Sequence, residues 1–331
     1  MQQMSSGPVG VSMPGMSLSG QSERHGWREA WRRIKRDRFL YLLAAPSLLY
    51  FVIFHYIPMV GIIIAFMDYD PYQGPGAMFD FSTWVGLKHF RNFFDSIFFW
   101  NVMRNTLLIS VYKLLWSFPL AIILAVLINE VRIDWYKRSV QTISYLPHFF
   151  SMVVVAGLVK AMLTTQGGLI NQLVVFFGGE PRAFLTEPSI FRGILVTTTV
   201  WQTMGWSSII YLAAMSTVNP ELYEAATVDG ANRFQRIWHI TLPSISFAIV
   251  ITLIFAIGGL LNAGFEQILL LYSPAVYEVA DVIDTYVYRA GLLGRQYSFG
   301  AAVGLYKSVL ALGLMIFANS IARRLGQPGL W

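Results

Sequence analysis

One short segment in the second half of the chain combines residues that could bind another protein surface. Asn219 is a preferred helix N-cap, and Pro220 suits the first helical position. Glu221 and Glu224 would lie near the positive helix end, where their carboxylates could form charge-assisted hydrogen bonds with Arg or Lys of a partner. Gly230 could supply the positive φ of the turn that ends this helix. The pattern predicts a short exposed helix that contacts a second protein, although an interfacial helix without a partner would have a similar pattern.

Ionisable residues inside apolar stretches form the second group. A charge inside a membrane-spanning stretch is energetically costly and usually functional. The simpler explanations are that Lys160 and Lys307 extend their ammonium groups to the membrane surface and that Glu266 pairs with a lysine. Aromatic faces with polar groups around them could line a path for a polar solute, and an excess of Lys over Glu would suit an anionic one. The candidate path consists of Lys113, Trp201, Gln202, Trp206, Asn262, Glu266, Tyr306 and Lys307.

Residues for other kinds of chemistry are missing or scattered. The chain has no cysteine, which excludes disulfides, thiolate metal sites and cysteine nucleophiles. Its five histidines have no metal-ligand spacing such as HExxH, and no G-x-x-x-x-G-K-[ST] loop is present to hold phosphates. A membrane-embedded enzyme would need a cluster of Asp, Glu or His near one interface, and the sequence has none. We therefore expect no catalytic residue, no metal site and no cofactor bound by this chain.

Composition indicates which elements must position these residues. Hydrophobic residues make up 55% of the chain and charged residues 13%, whereas a soluble domain contains about 25% charged residues. Mean hydropathy is +0.54. Six apolar stretches exceed the roughly 20 residues that a helix needs to cross a bilayer. They lie at 39–67, 105–129, 140–163, 190–216, 243–271 and 302–321. The sequence predicts an all-α polytopic membrane protein of six spans, with residues 39–331 as the transmembrane domain.

Basic residues are concentrated in the segments on one predicted side of the membrane. Of the 24 Lys and Arg, 14 fall before span 1, between spans 2 and 3, between spans 4 and 5, and after span 6. Because basic residues mark the cytoplasmic side, both termini are predicted to be cytoplasmic. Residues 1–38 would be a cytoplasmic tail, disordered over 1–22 and then basic and amphipathic at the lipid surface. The net charge of +6 follows from this asymmetry and does not indicate nucleic-acid binding.

The loop between spans 4 and 5, residues 219–242, has a distinctive spacing. The pattern E-A-A-x3-G-x9-I-x-L-P is matched without a mismatch by Glu224, Ala225, Ala226, Gly230, Ile240, Leu242 and Pro243. This segment resembles the signature loop of type I ABC importer permeases. Less specific matches resemble the polysaccharide-type branch of the carbohydrate-uptake permeases. They are residues 145–147 (YLP), 168–171 (GLIN), 283–288 (IDTYVY) and 297–298 (YS). Residues 84–90 (WVGLKHF) resemble the outer-loop segment of carbohydrate-uptake permeases in general, so the resemblance covers nearly the whole chain from about residue 35.

The resemblance implies a transport mechanism shared among several chains in the bacterial cytoplasmic (inner) membrane. A second, homologous permease would pair with this one, and an extracytoplasmic solute-binding protein would deliver a saccharide. Two ABC ATPase subunits would bind ATP and Mg and grip the loop helix through Glu224, with Gly230 forming the turn. The permease pair would then alternate between inward- and outward-facing states. The long loops 68–104 and 272–301 contain aromatic residues, which favours an ordered outer cap where an external partner could dock.

Two alternatives to a saccharide permease remain open: a permease for another solute and a scaffold without transport activity. The signature loop is shared with ABC permeases for amino acids, peptides or phosphate, and only the less specific matches favour a sugar. An oligo- or polysaccharide, acidic in the manner of an oligoalginate, is the substrate that the lysines would suit. A scaffold without transport activity would not need the signature helix.

Overall fold

The computed structural model describes residues 35–324, 326 and 329–330, so the predicted tail over 1–34 lies outside the described residues. The described chain contains helices and no named strand, and one isolated β-bridge joins Met67 to Trp84. This confirms the all-α prediction. The chain divides into two compact units, residues 1–60 and 61–331, which are described separately.

The α-helices have the following bounds in chain order. They are α1 (Arg38–Phe51), α2 (Ile57–Met59), α3 (Lys88–Phe94), α4 (Phe99–Glu130), α5 (Asp134–Tyr145), α6 (Met152–Leu163), α7 (Leu169–Phe176), α8 (Pro188–Met215), α9 (Pro220–Val228), α10 (Arg233–Arg236), α11 (Leu242–Ser244), α12 (Ser246–Gly258), α13 (Phe265–Leu271), α14 (Tyr277–Ala280), α15 (Ile283–Tyr286) and α16 (Tyr297–Arg324). Three π-helical segments, Val52–Tyr56, Ile237–Thr241 and Val287–Leu293, join some of them.

Three continuous helices in the described chain are long and apolar enough to cross a membrane: Arg38–Phe66, α4 and α16. Two bent pairs raise this number to five when each pair counts as one span. The stretches predicted as spans at 140–163 and 243–271 correspond to these two bent pairs. The first bends by 100° between Asp134–Phe149 and α6, and the second bends by 63° between Arg233–Ser244 and α12. The stretch predicted at 190–216 is the helix α8, which contains no segment of membrane-spanning length as apolar as those in the other three helices.

In the first unit, the helix from Arg38 carries an almost continuous apolar surface. Its large side chains are exposed, for example Leu43 at 75% and Phe39 at 71%, and none in α1 is buried within the unit. A helix that is apolar all round and not covered by protein needs an apolar solvent, as in a membrane. The unit thus matches the first predicted span.

The bend in the third predicted span has a local cause and a packing cause. Pro147 lies in the short 3₁₀ segment Leu146–Phe149, where it cannot donate a helical hydrogen bond. Phe150 follows this segment in an extended conformation, and its carbonyl accepts a hydrogen bond from the Gln202 side chain of α8 at 3.2 Å. Gly205, one turn further along α8, lies so close to Ser144 that an added Cβ would overlap the Ser144 carbonyl. The bend is therefore built against α8.

The core of the second unit is centred on α4 and α8, which form the most extensive helix pair. Ile109, Phe191 and Leu195 are fully buried there. Residues 272–294, which we call the cap, fold into the same core, since Val276 and Val282 belong to its apolar cluster and are fully buried. The predicted ordered loop between spans 5 and 6 is thus part of the packed structure.

We expect Gly205→Ala to destabilise the protein, because the new methyl group would press on the Ser144 carbonyl. Overpacking of this kind costs about 1–3 kcal/mol. The matched control is Gly193→Ala on the same helix, where nothing lies within 4 Å of the added Cβ. Removal of a helical glycine should leave stability unchanged or raise it by about 0.5–1 kcal/mol. Thermal unfolding of the full chain in detergent measures both, and equal midpoints for the two variants would contradict this packing.

Candidate functional site

The loop between α8 and α12 forms the short helix α9 that its sequence predicts. The Asn219 side chain accepts a hydrogen bond from the Glu221 backbone N–H at 3.1 Å, and Pro220 is the first helical residue. Gly230 has φ +81° and follows the helix end, and the Ala231 N–H donates to the Ala226 carbonyl at 2.8 Å. This is the backbone arrangement in which glycine closes a helix.

Side-chain hydrogen bonds tie α9 to the start of the fifth span. The Tyr223 hydroxyl lies 3.0 Å from the Thr241 hydroxyl, and Thr241 is almost fully buried. The Arg236 guanidinium donates to Thr227 at 3.0 Å. Two side chains of α9 are thus hydrogen-bonded to residues 236–241, directly before α11 and α12.

The rest of the loop offers an exposed surface. Glu224 and Ala225 are exposed, and Ala226 is half-buried. Val228 and Phe234 are exposed at 87% and 83%, which is unusual for large apolar side chains in water. Of the remaining motif residues, Leu242 packs against an apolar cluster of α4 and α8, Ile240 is half-buried, and Pro243 is exposed. The motif therefore divides into residues that anchor the loop and residues that face outward.

A second candidate site lies where the fifth span is interrupted. The helix α12 ends at Gly258 and α13 begins at Phe265, so residues 259–264 are not helical. Gly264 has φ +91°, and a Cβ at this position would overlap the Lys113 ammonium. Lys113 donates to the Ala263 carbonyl at 2.8 Å and to Gln267 Oε1 at 2.5 Å. The lysine of α4 thus satisfies a carbonyl that the interrupted helix leaves free.

Gln267 extends these contacts to α8. Its Nε2 donates to the Leu195 carbonyl at 3.0 Å, and its Oε1 accepts from the Thr199 hydroxyl at 3.0 Å. We call Lys113, Thr199, Ala263 and Gln267 the polar node. In the described structure no carboxylate pairs with the Lys113 ammonium. Gln267 was not among the predicted path residues. An amide side chain next to Glu266, at the start of an apolar run, was the signal in the sequence that could have identified it.

The structure distributes the other predicted path residues over three places. Asn262 and Glu266 are exposed and flank the polar node in sequence. Among the described residues, Glu266 forms no ion pair, so its expected pairing with a lysine was wrong. Near the bend of the third span, Trp206 stacks on His148 at 4.6 Å.

The remaining path residues have structural partners. Gln202 is buried against the bend, and Trp201 lines a mostly apolar cavity of about 790 Å³ between α6 and α8. Tyr306 packs against the rings of Phe93 and Phe94, and Lys307 donates to both Asp284 oxygens at 2.7 Å. These residues therefore do not converge on one cavity within this chain.

Polar side chains link the cap to three helices. Asn105 of α4 donates to the carbonyls of Glu278 and Asp281, Arg192 of α8 donates to the Val279 carbonyl at 3.0 Å, and Lys307 of α16 bonds Asp284. Within the cap, Arg289 pairs with the buried Asp281 at 2.6 Å, and these hydrogen bonds hold the pKa of the guanidinium above its ordinary value. The cap is thus hydrogen-bonded to α4 and α8, the same two helices that carry Lys113 and Thr199 of the polar node.

Among the described residues, no group of three or more His, Asp or Glu is arranged to hold a metal ion. The two candidate sites are the loop with its exposed surface and the polar node at the interruption between α12 and α13.

Comparison with known proteins identifies the family of the chain. Residues 117–327 match the family described as binding-protein-dependent transport system inner membrane component. The chain is 46% identical over 299 residues to the polygalacturonan/rhamnogalacturonan transport system permease protein YteP of Bacillus subtilis (strain 168), which covers 90% of this chain and 92% of that protein. It is 47% identical over 298 residues to protein LplB of the same organism, with the same coverage.

A solved structure gives the same result. In the crystal structure of a bacterial alginate ABC transporter in complex with alginate pentasaccharide-bound periplasmic protein, one chain matches with a TM-score of 0.83 and 43% identity. The match covers 91% of this chain and 99% of that chain. The chain therefore belongs to the family of binding-protein-dependent transport system inner membrane components.

Proposed function

We propose that this chain is the permease subunit of an ATP-driven importer that moves oligo- or polysaccharides across the bacterial cytoplasmic membrane by alternating access. The observation that carries the proposal is the likeness over nine tenths of the chain to a polygalacturonan/rhamnogalacturonan permease and an alginate importer. Both names refer to saccharides that contain uronic acids. An acidic saccharide is therefore the substrate class that we favour.

The proposed topology has six spans with both termini in the cytoplasm, formed by residues 39–331 after a cytoplasmic segment 1–38. The helix α8 would be the fourth span. Its 28 residues correspond to about 42 Å, which exceeds the roughly 30 Å of a hydrocarbon core. The polar residues of α8 have structural partners. Arg192 hydrogen-bonds the cap, Thr199 the polar node, and Gln202 the bend of the third span. Polar side chains in a span are expected to face the protein interior.

In this topology α9 is the cytoplasmic coupling helix. Two ABC ATPase subunits would serve this chain and a second, homologous permease, and the ATPases would bind ATP and Mg. The Glu224 carboxylate, the small alanines and the exposed apolar side chains offer a surface for an ATPase. The bonds from Tyr223 and Arg236 to their partners in the loop support transmission of the ATPase motion to the fifth span.

The polar node would lie beside the substrate path. Lys113 has three N–H donors, and the described residues use two of them. Asn262 and Glu266 are exposed in the single chain, as expected for residues that face a path between two permeases. A cation without a paired carboxylate would favour anionic sugar residues. An extracytoplasmic binding protein would deliver the saccharide to this path.

We expect Gly230→Val to uncouple uptake from ATP hydrolysis while the protein still inserts into the membrane. A left-handed backbone costs a non-glycine residue about 1–2 kcal/mol, and a β-branched side chain is the least tolerant. The assembled importer in proteoliposomes should therefore lose uptake by at least about tenfold. Gly230→Asn is the matched control, since Asn tolerates this conformation and space around the position is open. Normal uptake by the Val variant would remove the coupling role of this turn.

We expect Lys113→Met to reduce uptake of oligogalacturonate by about tenfold more than uptake of a neutral galactooligosaccharide. Hydrogen bonds to charged groups contribute about 1.5–3 kcal/mol, which would be lost only for the acidic substrate. Both substrates are measured with the same variant. Any effect of the lost Lys113–Ala263 hydrogen bond on the fold therefore lowers both uptake rates and cancels in their ratio. Lys160→Met, a substitution of an exposed lysine, is the matched control. An equal reduction for both substrates would contradict a charged path.

A further inference from the structure

A polar cavity of about 620 Å³ lies between the 68–97 segment and the beginning of α16. Its wall includes Asp68, Lys88, His89, Asn92, Arg295 and Tyr297. A hydrogen bond from the Tyr69 N–H to the Ser298 hydroxyl at 3.0 Å joins the two segments. The proposed topology places this cavity on the outer face of the membrane. None of the predicted site residues lines it.

The charges in the cavity leave one cation uncompensated. Asp68 is the one carboxylate among the described lining residues, and it already bonds Lys88 at 2.6 Å and His89 at 3.1 Å. Arg295 forms no ion pair with the described residues, and its guanidinium donates one hydrogen bond, to the Tyr72 hydroxyl at 2.9 Å. An arginine has five N–H donors arranged to match a carboxylate. Most of these donors remain available.

The backbone at Arg295 is also unusual. Its φ is +56°, and it is the one non-glycine residue in the described chain with a positive φ. Such conformations are disfavoured for residues with a Cβ and are concentrated at ligand-binding and catalytic sites. Glycine would be the expected residue for a simple turn at this position. A strained arginine with free donors is therefore better explained by a ligand than by the turn.

From this geometry we infer that the cavity binds a uronate residue of an acidic saccharide through its carboxylate. Arg295 would hold the carboxylate, and Asn92 would hydrogen-bond the hydroxyl groups. Tyr297 and two further tyrosines provide aromatic surface for the sugar ring. The volume lies within the range of small-molecule pockets, and the head group of a single Asp or Glu side chain would fill little of it. The inference rests on the proposed function and adds a contact site before the membrane path.

The test measures binding to the full chain in nanodiscs of neutral lipid by isothermal titration calorimetry. The probes are digalacturonate and lactose, which are both disaccharides and differ in charge. We expect digalacturonate to bind and lactose to bind at least about tenfold more weakly. Arg295→Gln should weaken digalacturonate binding by at least about tenfold, since a charge-assisted hydrogen bond is lost. Arg91→Gln is the matched control, because Arg91 is an exposed residue of α3 outside the cavity lining.

A second variant separates binding from a purely structural role. Arg295→Gly removes the guanidinium and fits the positive φ, so it should lose digalacturonate binding without a lower melting temperature. A lower melting temperature with unchanged binding would show that Arg295 serves the fold through Tyr72 and would overturn the inference.

Two further outcomes would overturn it. One is that the unmodified chain binds both probes equally. The other is that Arg295→Gln binds digalacturonate as well as the unmodified chain does; if this variant also releases the solute-binding protein from the assembled importer, the cavity would be assigned to a protein carboxylate. Uptake of oligogalacturonate by the unmodified importer is measured in parallel. Intact uptake without probe binding contradicts this inference alone, whereas probe binding without uptake contradicts the proposed function.

Discussion

A membrane interior has no water to bond free backbone groups, and this constraint determines how the fifth span can be interrupted. Residues 259–264 leave the helical pattern, so their carbonyls need other partners. Lys113 reaches from α4 to the Ala263 carbonyl, and Gln267 links the same ammonium to α8. Gly264 is required for its positive φ and for the space that the ammonium occupies. The interruption thus exists because three helices jointly satisfy it.

The helix α8 connects the sites that the other helices carry. Near its first turn Arg192 binds the cap through the Val279 carbonyl, and Thr199 reaches the polar node two turns later. Gln202 and Gly205 then support the bend of the third span. The helix ends at Met215, close to the start of α9 at Pro220. A displacement of α9 would therefore act on a rigid element that contacts the node and the cap.

Much of the fold and one of the two sites could be predicted from local sequence signals. Hydropathy located the helices that are long and apolar enough to cross a membrane. The N-cap Asn219 and Gly230 located α9, because helix ends depend on neighbouring residues. The 100° bend was not predicted, and the glycines Gly258, Gly259 and Gly264 left close helix contact or a break as alternatives for the fifth stretch. Gln202 and Lys113 stabilise both features through contacts between distant segments, which local sequence signals do not reveal. Composition identified Lys113 as unusual but could not identify its partners. The strained backbone of Arg295 has no sequence signature at all.

The central claim is that Lys113 and Gln267 act together to hold the interrupted span. A double-mutant cycle tests it most directly, with the stability of the full chain in nanodiscs measured for Lys113→Met, Gln267→Leu and the double variant. Residues that share one network show interaction energies of about 0.5–3 kcal/mol. For a hydrogen bond from a charged donor we expect at least about 1 kcal/mol, with the double variant less destabilised than the sum of the single variants. Additive effects would contradict the account.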